Sequence, residues 1–273
     1  MKKYIVAILL LFSLAASFLL LSGCGKVLLT QRQQFLLVSD SDMRALASRE
    51  YNDLLSKSKV VLNTDDYQRV VRVGSRITGA VDDFGRSQGL SQYTSGYKWE
   101  FNLIDDNKTV NAFCMPGGKI AVYTGILPLT KDDTGLAVVL AHEIAHALAK
   151  HGEERMSQIL LVQYGGAKLS EAMNSQPEAT KNYAMLAFGI GANVGVLLPY
   201  SRLQEDEADR IGLSLMAYSG YDPHQAVVFW TRMQKLETAG PPEFLSTHPL
   251  SSERINAIKA ELPEAMKYYR QYK

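Results

Sequence analysis

The stretch Leu136–Leu148 puts two histidines, His142 and His146, four residues apart inside an apolar run. Four residues make about one helical turn, so both imidazoles leave one face and can close on a single metal ion. The flank Leu136-Ala137-Val138-Val139-Leu140 argues against a surface pair, since a buried imidazole without a partner is costly. Chance does not account for the pattern either. With 5 His and 14 Glu in 273 residues, His-Glu-x-x-His arises in about one such sequence in two hundred. Glu143, beside the first histidine, is placed to take a proton from a metal-activated water and pass it to a leaving group. Such donors with an open position describe a zinc site, one Zn2+ per chain, with His142 and His146 as ligands and Glu143 as catalytic base and acid.

A zinc site of this kind needs a third protein ligand, a carboxylate or histidine from a nearby helix. The densest acidic run downstream is Glu205-Asp206-Glu207-Ala208-Asp209, in which Glu205 and Asp209 share a helical face. That pair can divide the work: Glu205 on the metal, Asp209 as the catalytic partner that accepts the second N–H of a ligand histidine. The competing reading is a solvated charged face, which is the expectation for Asp206 and Glu207. His151 lies nine residues beyond His142, about 180° around the helix, and is expected to face away from the metal. His224 follows the helix start Asp222-Pro223 and is expected to be exposed.

Around the motif the pattern is α+β and mainly helical. Ser39, Ser41 and Asp42 offer caps for a helix to about Ser56. Asn63-Thr64-Asp65-Asp66 starts a second, with Tyr67, Val70, Val71, Val73 and Ile77 toward its apolar side. Three β-like segments precede the motif: Tyr97–Ile104, Val110–Met115 and Lys119–Thr124, the last two joined by a hairpin turn at Pro116-Gly117-Gly118. Asp132 and Asp133 cap the motif helix, which is expected to run to about Lys150. Residues 153–210 read as mostly helical with a break near Asn174–Pro177. Within them Tyr183–Leu198 reads as a buried or lid-like helix, short of a comfortable membrane span. Gly240-Pro241-Pro242 is a loop, and Pro249–Leu262 a closing amphipathic helix.

Lys plus Arg number 29 against 28 acidic residues, for a net charge of +1, so no global field favours nucleic acid. Met1-Lys2-Lys3 precedes an apolar run from Tyr4 to Leu21, the layout of a secretory signal. Leu21-Ser22-Gly23-Cys24 is similar to a bacterial lipobox. The implied organisation is a lipoprotein signal peptide over 1–23, lipidation at Cys24, a lipidated tether and lead-in arm over 24–39, and one metal-binding domain over 40–273. A plain N-terminal anchor is the alternative. Gly25, in place of the Asp that resembles an inner-membrane retention signal, points to the outer membrane facing the periplasm. Cys114, left alone if Cys24 carries lipid, is expected to be a buried structural thiol.

Taken together, these residues resemble a family of zinc metallopeptidases. It includes HtpX, the mitochondrial quality-control protease OMA, the CAAX prenyl endopeptidases and the periplasmic lipoprotein branch of BepA and LoiP. The resemblance runs from about Ser39 to the C-terminus. Its most specific part is Ser201-Arg202-Leu203-Gln204-Glu205-Asp206-Glu207-Ala208-Asp209, similar to the family's Ser-Arg-x-x-Glu-x-x-Ala-Asp signature. It implies a zincin-like (gluzincin) fold with a small β-sheet beside the motif helix, and Glu205 as third ligand. Asn111-Ala112-Phe113 is similar to the family's substrate-binding edge strand, an ordinary edge hairpin being the other reading. Thr247-His248-Pro249, followed by Arg254-Ile255, resembles a segment whose histidine approaches the zinc as a fourth ligand, a latch that holds the enzyme latent. The implied role is endopeptidase quality control of unfolded or misassembled envelope proteins, with outer-membrane assembly machinery as a partner. The rivals are a chaperone-like binding protein with structural zinc and a zinc hydrolase acting on a non-peptide substrate such as peptidoglycan. An intact Glu143 weighs against the first, because a structural site needs no base.

Overall fold

A computed structural model of the chain describes residues 24–165, 167–188, 201–237 and 242–271. The expected signal segment 1–23, most of the apolar stretch ending at Leu198, and Gly240-Pro241 lie outside the described residues.

The helices begin where short polar side chains can satisfy free backbone N–H groups. Helix α1 (Asp40–Ser56) is capped by Ser39, whose Oγ accepts from Asp42 N at 3.1 Å. Thr64 caps α2 (Asp65–Ser87) in the same way, accepting from Tyr67 N at 3.2 Å. After the short helices α3 (Ser91–Thr94) and α4 (Leu127–Thr130) comes the motif helix α5 (Asp133–Leu148), where Asp132 Oδ1 accepts from Gly135 N at 2.8 Å. Helices α6 (His151–Tyr164), α7 (Leu169–Ser175) and α8 (Pro177–Ala187) follow, with the break between α7 and α8 where it is expected. The chain then runs through α9 (Ser201–Tyr218), α10 (His224–Glu237), α11 (Glu243–Thr247) and α12 (Ser252–Gln271). The last helix extends well past Leu262, through Pro263. Ala265 is buried, and the Tyr268 ring meets Phe84 edge-on at 5.6 Å, contacts that hold the added turns.

The sheet has the order β3 (Val60–Val61), β4 (Glu100–Ile104), β6 (Lys119–Tyr123) and β5 (Ala112–Met115). Strands β4 and β6 are parallel and the other neighbours antiparallel, which leaves β5 on an edge. The β5–β6 hairpin closes as the sequence predicts. Met115 O accepts from Gly118 N at 3.1 Å, with Pro116 then Gly117 at φ +84° in the middle, the residue order of a type II turn.

Helix α5 is the centre of the molecule. Every residue from Gly135 to Leu148 is buried, so it carries no polar face, and it lies against β5, α2, α9 and α10. The fold is thus α+β, mainly helical, with its motif helix between a small sheet and a helical layer. Residues 24–35 belong to the segment expected to be a tether and lead-in arm. They form a two-stranded hairpin, β1 (Cys24–Lys26) and β2 (Gln33–Phe35), whose connection buries Val27 and Leu28 completely. Burial of two aliphatic side chains, worth about 1.5–3 kcal/mol each, fixes this arm to the body.

Candidate active site

Three elements bring six side chains together. Helix α5 supplies His142, Glu143 and His146; α9 supplies Glu205 and Asp209; the turn after α11 supplies His248. All six are buried. His142 Nε2 lies 3.1 Å from His146 Nε2 and 3.2 Å from both Glu205 Oε2 and His248 Nδ1. Glu205 Oε1 is 3.3 Å from His146 Nε2, and Oε2 is 3.1 Å from His248 Nδ1. One ligand atom from each of His142, His146, Glu205 and His248 lies within 4.8 Å of the others. These spacings fit a metal. Corners of a tetrahedron about 2.0–2.1 Å from its centre, the usual zinc-to-nitrogen and zinc-to-oxygen reach, stand about 3.3 Å apart.

Around this cluster the charges are set by burial and by the charged and imidazole groups packed together there. His142 Nδ1 is 3.0 Å from Asp209 Oδ1. Burial pulls His142 down, but Asp209 and Glu205 outweigh it and hold the ring up at about 9. Burial, aided by the neighbouring His142 and His151 rings and opposed by Glu205, drives His146 well below the ordinary histidine range. Glu205 is opposed by burial yet held well below the usual carboxylate range by His248 and Arg254. Burial lifts the Glu143 carboxyl, whose Oε1 makes no hydrogen bond and faces His248 Nε2 at 3.3 Å. A carboxyl lifted in this way suits a group that must hold and release a proton.

Arg254 of α12, noted in sequence only beside His248, is a structural hub. Its Nε donates to Asp209 Oδ2 at 2.7 Å, Nη1 lies 2.9 Å from Glu205 Oε2, and the guanidinium sits 4.5 Å over the Trp230 ring. Trp230, which no sequence signal marked, meets the His142 ring at 5.3 Å and stacks on Phe244 at 5.9 Å. An aromatic core residue is legible only as core, so its place beside His142 is a tertiary fact.

Two expectations are overturned. His151 does not face away: α5 stops at Leu148, Lys150 takes the left-handed conformation at φ +54°, and α6 restarts at His151. The reset turns His151 back, fully buried, with its Nδ1 2.8 Å from His146 Nδ1. Glu207 is not solvated but buried, accepting from Arg32 Nη2 at 2.9 Å and Thr30 Oγ at 2.7 Å, with His151 Nε2 at 3.3 Å. The docked arm supplies the partners that a helical wheel cannot show. Asp206 and His224 are exposed as expected. Cys114 is buried, its thiol pushed well up by burial, as befits a structural thiol.

Asn111 immediately precedes edge strand β5, and Ala112 and Phe113 open it. Tyr123 N donates to Asn111 O at 3.0 Å, so by antiparallel alternation Asn111 and Phe113 turn their backbone groups toward β6, and Ala112 and Cys114 turn theirs outward. Asn111 Oδ1 accepts from Ala112 N at 2.8 Å, and Phe244 N donates to Val110 O at 3.0 Å, so α11 covers the start of this edge.

Residues 76–262 match Peptidase family M48. Similar proteins include the mitochondrial metalloendopeptidase OMA1 of Schizosaccharomyces pombe, 41% identical over 179 residues, which are 63% of this chain and 49% of that one. The mitochondrial metalloendopeptidase OMA1 of Saccharomyces cerevisiae is 29% identical over 269 residues, 93% of this chain and 75% of its own. The beta-barrel assembly-enhancing protease of Yersinia pestis is 31% identical over 166 residues, 58% of this chain and 33% of its own. The chain therefore spans about half the length of the first relative and a third of the last. These matches correct the expected outer-membrane, periplasm-facing location. The relatives at 41% identity and at 93% coverage are mitochondrial proteins, and the bacterial matches are weaker. Among the described residues no helix is long and apolar enough to cross a membrane. A lipobox-like tetrapeptide is too short a signal to outweigh similarity along the whole catalytic region. With the family match covering both motif helices and the His248 segment, the chain belongs to peptidase family M48 and carries its metallopeptidase unit.

Proposed function

We propose that the chain is a zinc-dependent endopeptidase that cuts unfolded or misassembled polypeptide in protein quality control. The observation that carries this reading is the convergence of His142, His146 and Glu205 donor atoms at 3.1–3.3 Å beside the Glu143 carboxyl, whose Oε1 makes no hydrogen bond. A zinc ion held by these three residues supplies Lewis acidity and lowers the pKa of a water toward about 7. Glu143 takes a proton from the attacking water and delivers it to the leaving amine. Asp209 holds the His142 ring, keeping its Nε2 lone pair on the site. Beyond its covered start, the outward-facing backbone of β5 at Cys114 would pair with an extended chain, a mode of recognition that tolerates many side chains. His248 sits between Glu205 and Glu143, where attacking water and scissile carbonyl would have to be, and so acts as the latch of a latent state. Two bacterial relatives are named for enhancing β-barrel assembly, which makes a protein-assembly machine the partner class to test.

The test is proteolysis of an unfolded, casein-like substrate by wild type and Glu143→Gln at equal zinc content. Cutting by wild type alone, with both proteins holding zinc, supports the peptidase reading and the role of Glu143. Silence from both, persisting when His248→Ala is introduced, favours a binding protein with structural zinc.

A further inference from the structure

His151 is buried, lies outside the ligand set, and has both ring nitrogens engaged. On the reading that His146 gives its Nε2 lone pair to the metal, the proton of that neutral ring is on Nδ1. His146 Nδ1–H then donates across 2.8 Å to His151 Nδ1, which must be unprotonated to accept. The remaining proton of His151 is on Nε2, 3.3 Å from Glu207 Oε2. Glu207 is held from the other side by the N-terminal arm. Arg32 Nε donates to Oε1 at 3.0 Å, Arg32 Nη2 to Oε2 at 2.9 Å, and the Thr30 hydroxyl to Oε1 at 2.7 Å. The same guanidinium forks onto Glu154 of α6 at 2.7 and 2.8 Å. Each ligand histidine thus has a carboxylate behind it: Asp209 directly behind His142, and Glu207 behind His146 through one further imidazole.

We infer that His151 is a positioning residue for His146, and that Arg32 and Thr30 anchor the outer end of its hydrogen-bond chain, coupling arm docking to metal affinity. This goes beyond the proposed function but rests on His146 being a ligand. The alternative is that His151 is a satisfied core histidine whose loss lowers stability and leaves metal affinity untouched. Lys150 favours the positioning role. A left-handed non-glycine residue is strained, and here it turns the His151 ring onto His146.

The test uses the full chain as wild type, His151→Phe, His151→Asn and Arg32→Met. The readouts are zinc affinity by competition with a chelating dye, the visible spectrum of the cobalt-substituted protein, and thermal unfolding of the metal-free form. His151→Phe fills the space without an acceptor and is expected to weaken zinc binding about 10–100-fold and to alter the cobalt bands. His151→Asn places a carboxamide oxygen near the lost Nδ1 and is expected to recover part of the affinity. Arg32→Met, far from the metal, is expected to weaken binding in the same direction by a smaller factor. Zinc affinity and cobalt spectrum of His151→Phe indistinguishable from wild type would overturn the inference, as would an Asn variant no better than Phe. If His151→Phe does not fold, the Asn and Arg32 variants decide: both retaining full affinity would also overturn it. A folded wild type that takes up no zinc would instead sink the metallopeptidase reading itself, a distinct outcome.

Discussion

Gly212 of α9 faces the main chain of His142: a methyl group there would lie 3.2 Å from the His142 nitrogen and 3.3 Å from the Ala141 carbonyl. The missing side chain lets the helix carrying Glu205 and Asp209 approach the helix carrying both histidines. Because the neighbouring atoms are backbone, Gly212→Ala must push the helices apart by a few tenths of an ångström. The expected result is a loss of about 1–3 kcal/mol in stability together with weaker metal binding. Thermal unfolding and a zinc titration check both, and a variant matching wild type in the two measurements would show slack in this contact.

Asp209→Asn keeps the shape of the side chain but removes the charge 3.0 Å from His142 Nδ1. It also leaves Arg254, bonded to both Asp209 oxygens, short of a counter-ion. Metal affinity or turnover should fall about 10–100-fold with the fold intact by circular dichroism. Unchanged affinity and turnover would remove Asp209 from the catalytic set.

His248→Ala should open the site, because the ring stands 3.1 Å from Glu205 and 3.3 Å from Glu143. Cleavage of an unfolded substrate is expected to rise about tenfold or more, the equivalent of about 1.4 kcal/mol of closure removed. A fall in turnover at unchanged zinc content would mean that His248 assists the reaction instead of blocking it.

Glu153 of α6 is buried with no hydrogen bond to its Oε2, and burial pushes its carboxyl up to about 7 from 4.5. A raised folded-state value means the native state binds a proton that the unfolded state has released. The associated stability is therefore full below about 4.5 and is lost as pH rises through about 7. Glu153→Gln, neutral throughout, should match wild type near pH 4–5 and exceed it by about 3 kcal/mol above pH 8. Thermal unfolding of metal-free protein across this range tests it; parallel curves for the two proteins would contradict the assignment.

Much of the site was legible because it is local. His142 and His146 are four apart on one helix, Glu205 and Asp209 four apart on another, and caps at Ser39, Thr64 and Asp132 are short polar residues ahead of apolar periodicity. The hairpin at Pro116-Gly117 was legible for the same reason, since its turn type is dictated by the residues within it. Glu207 was read as solvated because a helical wheel knows only its own helix, whereas its partner Arg32 lies 175 residues away.

By itself the sequence determined the motif helix, the acidic pair facing it and the strand order of the β5–β6 hairpin. The family resemblance pointed to His248 beside the metal and to the edge strand, whereas tertiary structure alone decided that Arg254 and Trp230 join the site and that the arm over residues 24–35 docks on the body. Tertiary structure also decided the direction of His151. Helical periodicity carries phase only while the helix continues, and one left-handed residue, Lys150 at φ +54°, erases that phase and sends the next side chain where long-range packing holds it.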